Sequence, residues 1–525
     1  MAKQNFKFFR VLAVLISLLV PHRTLAAERV ILRYGAFQRS ISVRSLENFI
    51  EGDRPDSELK PYLDVILGNP QQIQRFSRTS FQFDPIKFSQ LSYSYAGENV
   101  LTAAGRILKS PASQNGFYSL RSTLIQCTLH PDGFSLKNIL NFFPTDLEID
   151  LKAAFTALSE LRTLQDTTQD FIQAIPKPSR DIDISQFPDL RKPGEFNVVQ
   201  ETREFYDVGR DRTLVFDWYF PEISPETTTE TPVPLIVVSN GLGAKRNRFQ
   251  HLAQHLTSHG YSVAILDHPG SSYQRQQAFY DGVYSENFDA TEYIDRPLDI
   301  SFLLDRLETL SNPPVTLDLQ NVGVFGYSIG GTTALSLAGG KLDLENLPQN
   351  CNYQDTPLNL SILYQCRALE LENRPVSDLE DSRIKAVYLL FPNGNRLFGE
   401  TGLQSVKSPV FMHVTNRDLI TPLLLEQYPM FQKIPISEKY FVIAENLPHT
   451  YLTARFFSQT VDSELDVDRL VAISKTYINF LSLAFFDRYL QNNELKTKNS
   501  PNTYLNPAYL RSISEPPHFL HLTRQ

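Results

Sequence analysis

Six short apolar runs constrain this chain more than any other feature: "LIVVSN" (235–240), "SVAILD" (262–267), "VGVFG" (322–326), "AVYLLF" (386–391), "VFMHVT" (410–415) and "YFVIAE" (440–445). Each is continuous and rich in β-branched residues, and helical patterns lie between them. A strand with one wet face alternates apolar and polar residues, whereas a continuously apolar strand is covered on both faces. Such runs, separated by helices, predict a mostly parallel sheet with helices on both faces. Ahead of them "EFNVVQETREFYDV" and "TLVFDWYFPE" alternate like the strands of a hairpin. After them "LSLAFFDRYLQ" predicts a last packing helix. Residues 195–490 are therefore expected to form one α/β domain, followed by a C-terminal tail, 491–525, expected to be extended and partly mobile.

At 525 residues the chain exceeds a single ordinary core, so a second domain is expected. Residues 28–175 read as a mainly α-helical domain. "SVRSLENFI" places Val43, Leu46 and Ile50 on one face, and "LKAAFTALSELRTLQ" does the same with Leu151, Phe155, Leu158 and Leu161. Breaks in "NPQQIQRF", "DPIKFSQL" and "LHPDGFSLKNIL" separate shorter helices. No catalytic constellation lies there, and helical packing is the favoured reading, with a gating role the alternative. A Pro- and charge-rich linker, 176–194, joins the two regions.

Residues 1–27 read as a signal peptide. Lys3, Lys7 and Arg10 precede the apolar run "VLAVLISLLV", and "PHRTLAAE" offers Ala26 or Ala27 for cleavage. The run is too short for a spanning helix, so no integral membrane segment is expected in the mature chain, which is read as exported, periplasmic or secreted. Cleavage removes four basic residues and no acid, taking the formal charge from −8 to −12. An acidic chain without a basic cluster argues against nucleic acid as a partner.

Chemistry is concentrated in "NVGVFGYSIGGTTALSLAGG" (321–340). An apolar run enters Gly326-Tyr327-Ser328-Ile329-Gly330-Gly331 and a small-residue helical pattern follows. A strand turning straight into a helix forces a strained turn residue and needs glycines around it, which lifts the Ser328 hydroxyl clear. A serine nucleophile needs a base and an orienting acid, in the order Ser, Asp/Glu, His on this type of sheet. Asp418 follows "VFMHV", and His449 follows "YFVIA". Glu445 is a second acid near His449, but Asp418 ends its own strand and is preferred. The oxyanion formed in acyl transfer needs preorganised N–H donors, assigned to the amides of Ile329 and, in "SNGLG" (239–243), of Leu242.

With these residues in place, 195–490 resembles the α/β-hydrolase superfamily, nearest its platelet-activating-factor acetylhydrolase and dienelactone-hydrolase-like branch. The matching stretches are "VVSNGLGAKRNRF", "LDHPGSS", "RPLDISFLLD", "FGYSIGGTTAL", "VTNRDLITP" and "LPHTYL". The resemblance implies a serine esterase or lipase-like hydrolase acting on a small ester or lipid. Residues 28–175 resemble, more loosely, a helical domain of unknown function that precedes such domains in cyanobacterial α/β-hydrolases. Two departures stand out: Asn240 replaces a His common before the oxyanion-loop glycine, and Tyr327 replaces a His common before the nucleophile. An amidase, peptidase or thioesterase on the same triad, or an inactive binding scaffold, are the alternatives.

The remaining residues carry blander expectations. Cys351 and Cys366 flank one loop-like segment of a possible lid insertion, 340–384, and are the candidate disulfide; Cys127 is expected to be a buried thiol. His251, His255 and His259 share a helix face without an accompanying carboxylate, so no metal or other cofactor is assigned. His268 and Asp267 are read as loop organisers, Arg296 with Asp299 as an ion pair at a helix start, and His413 as a core histidine.

Overall fold

A computed structural model describes residues 26–62, 74, 77–178, 182–222, 232–371, 378–450, 466–491 and 504–524. Nearly all of the expected signal peptide lies outside these residues, as do most of "NPQQIQRF", most of the polar loop "SPETTTETPVP", and residues 372–377 of the insertion. The chain divides into two compact units, Met1–Ser92 with Val100–Leu158, and Tyr93–Asn99 with Ser159–Gln525.

The first unit corrects the mainly helical expectation. It holds a four-stranded mixed sheet, β1 (Arg29–Tyr34), β2 (Phe37–Ser42), β3 (Leu108–Lys109) and β4 (Leu147–Asp150), in the order β2-β1-β4-β3. The helices read from periodicity are present, among them Val43–Glu51, where Ser42 caps the Ser45 amide, and Leu151–Ala174, whose residues from Ser159 onward belong to the second unit. The strands escaped notice because they are short and half wet. One of their pairings also joins residues far apart in sequence, Val30 opposite Leu147. Val30, Val43, Ile50, Leu101, Leu120, Leu140, Phe143 and Leu147 form the core of this unit. Cys127 is a buried free thiol, and burial pushes its pKa up to about 11.

The second unit is built on nine strands: β5 (Val198–Asp207), β6 (Arg212–Pro221), β7 (Val233–Ser239), β8 (Ser262–Leu266), β9 (Leu317–Tyr327), β10 (Ile384–Leu390), β11 (Val410–Val414), β12 (Lys439–Ala444) and β13 (Leu520–Thr523). Their order is β13-β12-β11-β10-β9-β7-β8-β6-β5. The six apolar runs are β7 to β12, and these pair only in parallel with one another. The hairpin β5–β6 closes one edge in antiparallel fashion. At the other edge, the described residues 504–524 of the C-terminal tail correct the extended expectation: helix Pro507–Ile513 leads into β13, which pairs antiparallel with β12. Covering an otherwise open edge strand explains why this segment is ordered.

Alternate side chains of the central strands enter two cores. Leu235 and Val237 face one, while Ile236 and Val238 face the other. Helices Gln250–Ser258 and Val467–Leu490 cover one face, and Glu292–Glu308 and Ile329–Leu337 cover the opposite face. Val467–Leu490 is long and apolar enough to cross a membrane, but 67% of its apolar window is buried inside the fold. Because β7 to β12 run the same way, their carboxyl ends share one rim. There Ser239 is opposite Gly326, Tyr327 is opposite Leu390, and Leu390 is opposite His413. The chain runs from β7 to β8 on one side and from β9 onward on the other. The crevice at such a switch point is where α/β sheets bind ligands.

Candidate active site

Ser328 sits in the corner between β9 and helix Ile329–Leu337, with φ 55° and ψ −118°. A side chain held there costs on the order of 1–3 kcal/mol, so the surroundings must enforce it. The Ser328 amide donates to the Leu390 carbonyl at 2.9 Å, and its own carbonyl accepts from the Gly331 amide at 2.8 Å. A Cβ on Gly326 would strike the Gly330 carbonyl, and one on Gly330 would strike the Ser239 carbonyl. The glycine spacing of "GYSIGG" is thus a requirement of close backbone packing. Ser328 is half-buried, and its hydroxyl makes no hydrogen bond among the described residues.

Asp418 and His449 come from the ends of the next strands but one and two. His449 Nδ1 lies 2.6 Å from Asp418 Oδ2. Every partner of this carboxylate can donate: Oδ1 accepts the amides of Ile420 (2.9 Å) and Thr421 (2.8 Å), and Oδ2 also accepts the Thr421 hydroxyl at 2.6 Å. Such a carboxylate fixes the proton of a neutral imidazole on Nδ1 and leaves Nε2 to accept. The two loops are stitched together by Thr415 Oγ1 donating to the Leu447 carbonyl at 2.7 Å and by the Asn446 amide donating to Asn416 Oδ1 at 2.7 Å. Tyr327, directly before Ser328, donates its hydroxyl to the His449 carbonyl at 3.0 Å, and its ring centroid is 5.5 Å from the imidazole. Phe391 packs the imidazole as well, with ring centroids 5.2 Å apart. The structure therefore gives Tyr327 and Thr421 positioning contacts that sequence reasoning did not assign. Thr421 had a signal, since Asp followed three residues later by Thr favours a local side-chain turn.

The amides of Leu242 and Ile329 donate to no described residue, whereas Gly243 donates to Ser271 O at 2.9 Å. Gly241 brings the Leu242 turn against the elbow: a Cβ there would lie 2.6 Å from the Tyr327 ring and 3.5 Å from Ser328 Cβ. Ile329 is the first residue of its helix, where amides lack intrahelical acceptors and the helix dipole favours negative charge. The side chains of Leu242 and Ile329 enter an apolar cluster with Phe288, Tyr293, Leu347 and Leu371. The last two belong to the insertion, in which Cys351 and Cys366 are joined by a disulfide with Cα atoms 5.4 Å apart. The insertion is moored by Asn359 and Gln365, which donate at 2.8 Å to the buried Glu426, beside Gln427 and the Asp418 loop.

Other expectations are resolved residue by residue. Glu445 pairs with His521 at 3.2 Å and so does not serve His449. His251 meets Asn479 at 2.9 Å, His259 meets the Lys192 carbonyl at 3.0 Å, and His255 is buried. Burial lowers both His251 and His255 to about 4. His413 is half satisfied, by Tyr388 at 2.8 Å, and burial lowers it to about 3. Asp267 binds Arg246. The expected Arg296–Asp299 pair is corrected: Arg296 approaches Glu292 at 3.5 Å, one helical turn back, while Asp299 takes Arg210 at 2.8 Å and Arg212 at 2.9 Å. Three residues along a helix point to neighbouring but distinct azimuths, and the hairpin strand β6 supplies Arg212 on the Asp299 side.

A second Ser–His–Asp array emerges from that network. Ser239 Oγ is 2.9 Å from His268 Nε2, and His268 Nδ1 is 3.0 Å from Asp299 Oδ2. All three are buried, and burial, reinforced by Arg296, holds the imidazole well below its ordinary pKa. A neutral His268 donating to Asp299 accepts the Ser239 proton, which is the tautomer a triad uses. Nothing in "SNGLG" or "LDHPGSS" announced it, because the three residues meet only through the sheet order.

Residues 26–150 match the family model described as an alpha/beta hydrolase of unknown function (DUF1400), and residues 230–346 match the model described as serine aminopeptidase, S33. No curated protein matches the chain. With the mostly parallel sheet, these matches make the chain similar to serine hydrolases of the α/β-hydrolase fold. The stretch 230–346 is similar to the S33 serine aminopeptidases, and the stretch 26–150 ahead of it is similar to the DUF1400 family. The S33-like match spans Leu242, Ser328 and Ile329 and ends before Asp418 and His449.

Proposed function

We propose that the protein is an exported serine hydrolase that cleaves carboxylic esters, including acyl or acetyl esters of lipids, with Ser328 as nucleophile, His449 as base and Asp418 as its orienting acid. The observation that carries this reading is the strained φ of Ser328 at a strand–helix corner, with the bonded Asp418–His449 pair on the same rim. His449 Nε2 takes the hydroxyl proton as Ser328 Oγ attacks the carbonyl carbon. The tetrahedral oxyanion is received by the Leu242 and Ile329 amides, each donor worth about 2.7–4 kcal/mol of barrier. His449 then returns the proton to the departing alcohol. Water, activated by the same imidazole, releases the acid from the acyl-enzyme. The open Ser328–His449 contact fits catalytic hydrogen bonds that tighten only when substrate binds. Placement in the acetylhydrolase-like branch rests on the quoted motifs, and export rests on residues 1–27.

Two further readings have support of their own. The bonded Ser239–His268–Asp299 chain favours Ser239 as an alternative nucleophile. The aminopeptidase description of the matching model favours peptide over ester substrates. Treatment of the mature protein with a fluorophosphonate probe, followed by peptide mapping, separates the serines: label is expected on Ser328 and absent from S328A. Label on Ser239 overturns the assignment. Rates on p-nitrophenyl esters of rising chain length, set against aminoacyl-p-nitroanilides, then decide between ester and peptide. No label and no turnover would leave the binding-scaffold reading.

A further inference from the structure

The turn that carries the Leu242 amide is held by little of its own: within it, only the Ala244 amide donates to the Gly241 carbonyl, at 3.2 Å. Its two ends are instead tied to one buried guanidinium. Arg296 Nη1 donates to the Asn240 carbonyl at 2.8 Å, where the turn begins. Arg296 Nε donates to Ser271 Oγ at 2.8 Å, and the Ser271 carbonyl receives the Gly243 amide at 2.9 Å, where the turn ends. Glu292 completes the assembly by accepting the Ser271 hydroxyl and facing Arg296 at 3.5 Å. Arg296 is 1% exposed, and among the described residues none of its hydrogen bonds reaches Ser328, Asp418 or His449. A buried charge of this kind is costly, and replacing it by apolar packing is commonly neutral or stabilising, so folding alone does not require it. A planar fork with donors in fixed directions suits the bridging of two backbone segments; an ammonium does not.

We propose that Arg296 is a positioning residue for the oxyanion hole, fixing the Asn240–Gly243 turn so that the Leu242 amide meets the oxyanion developing on the carbonyl attacked by Ser328. This rests on the reading of Ser328 as nucleophile. The guanidinium touches no reacting atom; it acts by holding the turn that does. An amide misplaced by about 1 Å costs up to about 100-fold in rate, and most of that loss falls on the transition state.

The test compares wild type, R296K and S271A on p-nitrophenyl acetate and against a trifluoromethyl ketone, whose hemiketal oxyanion occupies the hole; unfolding midpoints are measured alongside. For R296K, kcat is expected to fall about 10- to 100-fold with KM within about threefold, and hemiketal affinity to fall in parallel. S271A, which cuts the same tether while keeping the charge pair, is expected to shift both quantities in the same direction by about 3- to 10-fold. It keeps the proposal falsifiable should R296K fail to fold. Unchanged kcat and hemiketal affinity in a folded variant overturn the proposal, as does a fall in the midpoint without a loss of hemiketal affinity. Fluorophosphonate label on wild-type Ser328 together with either of those outcomes refutes Arg296 alone. Absence of that label refutes the Ser328 reading and this proposal with it.

Discussion

Ser239–His268–Asp299 and Ser328–Asp418–His449 set the same three residue types in one domain under opposite conditions. The first is bonded from end to end, at 2.9 and 3.0 Å, and sealed inside the sheet. Among the described residues the second has only its Asp418–His449 contact closed, at 2.6 Å, yet its serine stands half-buried on a strained corner beside the Leu242 and Ile329 amides, which donate to no described residue. Ser239 is hydrogen-bonded within a strand, and the Gly330 backbone packs against its carbonyl. Exposure and backbone strain, rather than hydrogen-bond completeness, are what distinguish Ser328 from Ser239. Asp299 is linked onward, since it shares Arg212 with Glu292, and Glu292 faces Arg296.

Several substitutions would break or sharpen that contrast. The largest expected effect is that of S328A, which should lower kcat by up to about 10⁶-fold while S239A stays within about threefold; steady-state ester hydrolysis reads both. The reverse ranking would hand the chemistry to Ser239. D418N should lower kcat by about 10⁴-fold by presenting the wrong imidazole tautomer, with the fold intact by circular dichroism. Removing the Cys351–Cys366 bond, which closes a separation of 15 residues, should cost about 3 kcal/mol in urea unfolding. S239A should cost about 1–3 kcal/mol, because it leaves His268 Nε2 buried without its partner. The smallest effects concern pH. His251, His255 and His413 are held neutral by burial, at about 4, 4 and 3. The unfolded chain binds protons from about pH 6.5 downward while the native state does not. Stability should therefore fall steadily from about pH 6.5 toward pH 4, as the unfolded chain takes up protons that the buried rings refuse. A denaturation midpoint that is flat over this window would show that these rings charge without unfolding.

The legibility of the sequence followed the length scale of each signal. Six apolar runs announced the parallel strands because burial on both faces is written residue by residue, and "FGYSIGG" announced the elbow because backbone contact excludes every side chain but hydrogen. Order along the chain was enough to propose Asp418 and His449 from the ends of later strands. The strands of the first unit left no such trace: β3 spans two residues, and β1 finds β4 more than a hundred positions away. The tail hid β13 for the same reason, as four residues become a strand only where β12 offers an edge.

Composition, period and motif thus determined by themselves that this chain builds a doubly covered α/β sheet with a serine at a strand–helix turn, because each of those features is set by neighbours within a few residues. Which acid serves His449, which carboxylate Arg296 faces, and that a second serine is bonded to a second histidine were decided only by tertiary structure. Strand order brings β6, β7, β8 and helix Glu292–Glu308 together, and hydrogen bonds and charges act over about 3 Å of space whatever their separation in sequence.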